Sequence, residues 1–431
     1  MRTYRELFQT PEFLPFFTTV SVQVAAQTAT GLALGTLVYT ATGSPLLSAL
    51  AMFGPSLAQV AGALTLLSAA DRLPPRATLT GLALLFALGT GVQAIPGLPL
   101  WAAFALLLAL GVASSLGGGV RYGLLNEILP QRGFLLGRSV LNMTVGTMQI
   151  VGFAVGGVLV TALSARGTLL VGAGLYVVAA ALARFGLTAL PPRATGRASV
   201  RETWRTNALL WSSPPRRSVY LALWVPNGLV VGCESLYIAY APGYAGLLFA
   251  CGALGMLAGD TLVGRFVPGR WRARLGAPLR LLLAAPYLLF ALDPGVPVAV
   301  VAVVLASVGF SASLLLQERL MALTPAELSG HALGLSSSGM LAMQGVGAAL
   351  AGSIAQVTSP GTGMAAVAAL SLAVTVALAP GLRAGRGRGP AGRLQGDGST
   401  DGPPAGSPPG PPDGSPDGSP RTKETKETTT S

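Results

Sequence analysis

The chain of 431 residues is 51% hydrophobic and only 10% charged, far below the roughly 25% charge of a soluble domain, which excludes a protein that faces water on all sides. Its net charge of +12 comes from 28 basic residues, nearly all arginine and scattered over short connections, which points to membrane orientation and anionic headgroups and away from nucleic acid. Two cysteines in apolar stretches, Cys233 and Cys251, and a single histidine, His331, leave no disulfide scaffold and no His/Cys metal site, and no cofactor is expected.

The N-terminal residues, with Arg2, Arg5, Glu6 and Glu12, lead into a long apolar stretch without a small-residue cleavage site, so an uncleaved first spanning helix is expected. A bilayer core takes roughly 20 apolar residues per helix. Stretches that meet this length cover about 14–40, 45–69, 77–96, 98–120, 139–163, 168–190, 218–240, 243–264, 275–292, 296–316, 332–357 and 362–381, twelve predicted spans, of which the fourth and tenth are long enough to continue beyond the membrane. The 57 glycines suit helices that approach closely in lipid.

Basic residues alternate with the spans. Arg2 and Arg5 precede the first, Arg72 and Arg76 follow the second, and Arg121, Arg132 and Arg138 follow the fourth. The central connection carries Arg193, Arg197, Arg201, Arg205, Arg216 and Arg217, and the eighth-to-ninth one Arg265, Arg270, Arg272 and Arg274. The opposite connections hold only Arg166, so both termini are expected in the cytoplasm. Beyond residue 382 the composition turns to Gly, Pro, Ser and Asp, with Asp-Gly-Ser-Pro repeated at 413–416 and 417–420, and a disordered tail is expected over 382–431.

Three patterns recur in order at nearly constant spacing. Asp71-x-Leu73-x-x-Arg76 returns as Asp260-x-Leu262-x-x-Arg265 after 189 residues, and Leu124-Leu125-Asn126-Glu127 returns as Leu315-Leu316-Gln317-Glu318 after 191. Met148-Gln149-x-x-Gly152 returns as Met343-Gln344-x-x-Gly347 after 195. The expected organisation is an N-terminal six-helix half (1–190), a cytoplasmic linker (191–217) and a C-terminal six-helix half (218–381). Six is even, so both halves enter the membrane in the same direction and form a parallel repeat.

This pattern resembles the major facilitator superfamily, whose loop after the second helix reads roughly G-x-x-x-D-R-x-G-R-R/K. Asp71, Arg72 and Arg76 match its charged positions, while Pro74 and Pro75 stand where the family has Gly and Arg; Gly255, Asp260, Gly264 and Arg265 match in the second half. In the fifth helix the family's exporters carry G-P-x-x-G-G, and here Gly152-Phe153-Ala154-Val155-Gly156-Gly157 has Phe for Pro. The resemblance implies an all-α fold of two parallel-repeat bundles and a monomeric transporter, most similar to the drug and siderophore exporters, with helices one and seven lining a central cavity.

Polar side chains inside the spans are candidates for that cavity or for interhelical glue. Glu234 is the only acid well inside a predicted span, with no basic residue at its depth, and a carboxyl so placed in low dielectric favours its protonated form. It fits a proton-coupling or cation-binding site, or a neutral hydrogen-bonded Glu. Asn227 lies two turns before it on the same face, and Thr19, Gln23, Gln27 and Thr30 form a stripe on the first helix. Ser139, Asn142, Gly146 and Gln149 mark a similar face on the fifth, with Gln344 as the repeat mate of Gln149. Asp71, Arg72, Arg76, Asp260 and Arg265, with Glu127 and Glu318 nearby, read as a cytoplasmic gating network or as topology markers. No phosphate-binding loop, His-Glu-x-x-His or paired intramembrane Asp is present, so the expectation is a non-enzymatic secondary transporter. It would export a small apolar or amphipathic molecule with protons as the coupling ion. Uptake, facilitated diffusion, or a receptor or scaffold that kept the fold are the alternatives.

Overall fold

In lipid a backbone must satisfy its own hydrogen bonds, and long apolar runs without a period of two do so as helices. The computed structural model describes residues 4–70, 73–129, 131–191, 200–325 and 328–384, and among them every regular element is helical. Before the linker come α1 (Phe13–Thr42), α2 (Pro45–Ala70), α3 (Pro75–Gln93), α4 (Leu100–Ile128) and α5 (Gln131–Gly186). A linker helix, α6 (Val200–Ser212), leads to α7 (Pro214–Ser235), α8 (Ala245–Thr261), α9 (Gly269–Leu282), α10 (Val296–Val308), α11 (Ala312–Ala322), α12 (Ser329–Val357) and α13 (Pro360–Ala384).

The interruptions have local causes. Gly43 ends α1 in the left-handed region at φ 63°, and Pro45 opens α2 at a position that needs no N–H. Within α5, Ser164 holds φ 78° and breaks the rod; its Oγ accepts the Gly167 N–H at 3.3 Å and so starts a second arm. After α9 the chain tightens into a 3-10 stretch at Ala285–Leu292, and a 3-10 turn at Gly309–Ser311 separates α10 from α11. The fourth span continues to Ile128 and the tenth to Ala322, as expected of both.

Ten stretches among the described residues are long and apolar enough to cross a bilayer, against the twelve expected. The difference lies at two points. Gly137–Gly186 is a single stretch of 50 residues that contains the break at Ser164. The 30-residue α1 is diluted by Thr18, Thr19, Gln23, Gln27, Thr28 and Thr30 and is not among the ten. The last helix runs to Ala384, three residues past the expected end of the twelfth span.

Before the linker, α1 packs on both arms of α5, α2 on α4, and α3 on α5. After it, α7 packs between α12 and α13, and α8 on α10. The two sets meet where α2 lies on α12 and α5 on α8, and where the short helix Tyr237–Tyr240 reaches α1 and α2. We call the end that carries α6 the linker end, and the opposite end, with Gly43, Ser164 and residues 241–244, the far end.

The repeat is visible in packing as well as in sequence. A Cβ placed on Gly62 of α2 would lie 2.6 Å from the Val112 carbonyl of α4, and one on Gly255 of α8 would lie 2.7 Å from the Val304 carbonyl of α10. These glycines are 193 positions apart and the valines 192, within the spread of the sequence repeats. Likewise Gly152 of α5 lies on Ala25 and Thr28 of α1, and its repeat mate Gly347 of α12 lies on Gly228 and Leu229 of α7.

Because the atoms in the way are main-chain, Gly62→Leu and Gly255→Leu are each expected to destabilise the protein by at least about 1–3 kcal/mol. Gly91→Ala, in open space within α3, is expected to be neutral or mildly stabilising. Thermal unfolding in detergent, followed by loss of the monodisperse peak, measures the contrast; equal melting of all three variants would remove these contacts as determinants of stability.

Candidate functional site

The site is built on the last turns of α7. From Pro226 to Ala239 every residue is buried except Glu234, whose side chain is partly exposed in the middle of that run. Its chain neighbours are fixed by packing: Cys233 donates its thiol to the Met364 carbonyl at 3.3 Å, and Ser235 donates to the Gly232 carbonyl at 2.7 Å. The helix ends immediately after, and the chain resumes as Tyr237–Tyr240. Three residues beyond Glu234, the Tyr237 hydroxyl hydrogen-bonds to that of Tyr287. Phe249 stands edge-on to the Tyr237 ring at 4.8 Å, which orders an aromatic cluster next to this turn of the chain. Among the described residues Glu234 makes no ion pair.

Around it the two sets touch at the far end. A Cβ on Gly35 of α1 would meet Ile238 at 2.7 Å, and the Tyr39 hydroxyl points at the Ala239 carbonyl from 3.5 Å. Ser44 donates to Gln356 Oε1 at 2.7 Å, and Gly352 of α12 lies against Leu46 of α2. On the other flank Phe153 stacks on Phe249 with centroids 4.6 Å apart, and Gly157 meets Gly246 main chain to main chain. Residues 142, 146, 149, 153 and 157 share one face of α5. Its outer part is covered by α8 through Phe153 and Gly157, while Asn142 and Gln149 are exposed and nothing lies within 4 Å of a Cβ built on Gly146. The boundary between α5 and α8 is therefore in contact at Phe153 and Gly157, with a cavity of about 300 Å³ lined by Thr36, Thr161, Pro242 and Gly246 beside that contact at the far end, and uncovered toward the linker end.

The other predicted positions divide by what their side chains do. On α1, Gln23 is buried and Gln27 exposed, whereas Thr19 and Thr30 bond back to their own helix at Pro15 and Ala26, and Thr30 packs on Gly172 of the second α5 arm. Asn227 is buried and donates to the Leu223 carbonyl at 2.8 Å and to Ser313 Oγ at 2.9 Å, which ties α7 to α11. Gln344 is half-buried on α12, one residue before the Gly345 contact with Leu57 of α2.

At the linker end Arg76 is half-buried and donates to the Leu187 carbonyl at 3.4 Å, beside the end of α5. Asp260 is half-buried at the end of α8, and Arg265 is exposed in the π-helical turn that follows; the two are not ion-paired with each other. Asp71 and Arg72 lie outside the described residues. Among the described residues no group of three His, Cys, Asp or Glu side chains could hold a metal.

Three features were not read from the sequence: the Tyr237–Tyr287 pair, the Phe153–Phe249 stack and the Ser44–Gln356 bond. A tyrosine inside an apolar stretch does announce a hydroxyl in need of a partner, but only packing names the partner.

A profile for the Major Facilitator Superfamily matches residues 16–335. No curated protein matches the sequence significantly. Similar solved structures include a POT family transporter in complex with a thioalcohol-conjugated peptide, at TM-score 0.66 and 12% identity over 85% of this chain and 95% of that one. A bacterial homolog of the human lysosomal transporter Spinster, in an inward-facing and unoccupied conformation, aligns at TM-score 0.62 and 15% identity, covering 89% and 93%. The nucleoside transporter NupG aligns at 0.61 and 13%, covering 86% and 98%. At such identities these structures share the fold alone. With three-quarters of its length matched by the profile and its helices packed in the same arrangement as these transporters, the chain belongs to the major facilitator superfamily.

Proposed function

We propose that the protein is a secondary active transporter of the cytoplasmic membrane, which exports a small apolar or amphipathic molecule by alternating access in exchange for protons. The observation that carries this is Glu234, the one residue between Pro226 and Ala239 that escapes full burial, placed near the far-end contacts between the two sets. A carboxyl reached by water from one side in one state and from the other in the next can load a proton on one side and release it on the other.

The moving parts are the halves 1–190 and 218–381, rocking about the α2–α12 and α5–α8 boundaries, with 191–217 as the linker and 382–431 as the tail. The concentration of arginine at the linker end supports a cytoplasmic position for that end and for both termini. The far-end contacts then form the outer gate, and the uncovered row at Asn142, Gly146 and Gln149 is the cytoplasmic entrance. Gln23, Gln27 and Gln344 complete the polar lining, while Asn227 holds the helix beneath Glu234. Asp260 and Arg265, with Arg76 and the repeat partners Asp71 and Arg72, act when the cytoplasmic end closes.

Export is supported by the Gly156-Gly157 pair and the charged segment after the fourth span. Uptake or facilitated diffusion is the second reading, favoured by Phe153 where the exporters carry proline.

A substrate screen in proteoliposomes, with and without an imposed pH gradient, tests the proposal. Glu234→Gln is expected to abolish gradient-driven accumulation while leaving substrate binding or exchange in place; a Glu234→Gln protein that pumps normally with unchanged pH dependence would reject Glu234 as the coupling group. Asp260→Asn is expected to lower turnover roughly fivefold or more, with little change in substrate affinity, because the charge acts on the conformational equilibrium. Equal turnover at matched expression would reduce these acids to topology markers. Truncation after residue 390 is expected to leave transport intact.

A further inference from the structure

The linker helix α6 has two faces with different fates. Its inner face is fixed to the C-terminal set: Leu210 is fully buried, and the Trp211 ring stacks on Trp224 of α7 with centroids 5.5 Å apart and planes 8° apart. Trp224 in turn donates its indole N–H to the Ser336 carbonyl of α12 at 3.0 Å, and Arg216 donates to the Leu209 carbonyl at 3.2 Å, closing the last turn of α6 onto the start of α7. The outer face comprises positions 204, 205, 208, 209 and 212, which form one continuous stripe. All five residues are exposed, and the stripe carries Trp204 at 57% exposure and Leu209 at 54% beside Arg205.

An indole and a leucine held out by a rigidly docked helix have a natural occupant set by where the helix stands. Only Ser213 separates α6 from α7, a membrane-spanning helix whose first turn carries the exposed Arg217. The stripe therefore lies at the level where the bilayer ends, and residues 200–217 carry four arginines against one glutamate. The same pairing of aromatic and base recurs elsewhere at this end, where exposed Trp271 lies under the Arg274 guanidinium at 5.4 Å.

We infer that the Trp204–Leu209 face of α6 is an interfacial foot that docks on the anionic headgroup region of the linker-side leaflet. Trp204 and Leu209 enter the boundary between headgroups and acyl chains, and Arg205 and Arg217 contact lipid phosphates. Because Trp211 locks α6 to α7 and α12, the foot fixes the C-terminal set against the membrane surface. This assignment does not depend on substrate, direction or coupling ion.

The test uses the full chain in nanodiscs containing neutral phosphatidylcholine and anionic phosphatidylglycerol, with bromine placed near the headgroup of one lipid or the other. The protein has five tryptophans, and subtracting the emission of a Trp204→Phe variant isolates Trp204. The expected result is blue-shifted Trp204 emission, quenched more strongly by the brominated anionic lipid than by the brominated neutral one at equal mole fraction. Arg205→Gln with Arg217→Gln is expected to lower the local enrichment of anionic lipid, by about fivefold per arginine removed. Water-like emission insensitive to both quenchers would overturn the assignment and leave the face for a soluble protein partner. Equal quenching by the two lipids, or an anionic preference untouched by the double variant, would overturn it as well. All three substituted side chains are exposed, so each variant is expected to elute and melt as the parent does.

Discussion

Main chain against main chain, without intervening side chains, is the contact on which the rest of the structure depends. Lipid offers no hydrophobic drive for helices to associate, so dispersion between closely approaching backbones has to supply it. Gly62 on Val112, Gly255 on Val304, Gly232 on Gly347 and Gly157 on Gly246 are places where one helix lies directly on the next. The first two join helices within a set and occur at equivalent positions of the repeat. The last joins the sets, and being made of glycine on both sides it presents a smooth surface over which α5 and α8 can separate.

That distinction organises function. Contacts within each set bury large apolar clusters, as where Phe13, Phe16 and Leu124 pack together before the linker. Contacts between the sets at the far end combine Leu32, Met52 and Phe53 packed on the apolar cluster of the C-terminal set with stacked phenylalanines, a serine–glutamine bond, an aromatic hydroxyl near a carbonyl, and small residues. Each can be released without leaving a buried charge. Glu234 lies near these contacts, in the last turn of α7, and is partly exposed between buried neighbours.

Polar residues in the spans divide between cohesion and solvation according to the partners within reach. Asn227 meets Ser313 and the Leu223 carbonyl, and Thr19 and Thr30 satisfy themselves on their own helix. Asn142 and Gln149 stay exposed on a face that is packed one turn further out. On one helix, then, the same row of side chains is packed on α8 in its outer part and uncovered in its inner part.

The sequence by itself determined the all-helical membrane fold, the positions of most spans and the family, because each rests on local quantities: run length, residue size and motif spacing. It also singled out Glu234, since an acid in a long apolar run is conspicuous whatever surrounds it. Run length and hydropathy alone are weakest at two places: at Ser164, where a break separates the expected fifth and sixth spans inside one long apolar stretch, and at α1, a spanning-length helix diluted by hydroxyls and amides. Tertiary structure alone decided that Asn227 bonds to Ser313, that Thr30 faces Gly172, that Tyr237 pairs with Tyr287, and that Phe153 stacks on Phe249. Each of these depends on which residue of a distant helix stands opposite, as where 96 positions of chain separate Phe153 from Phe249, and helical periodicity states which way a side chain points without stating what it meets.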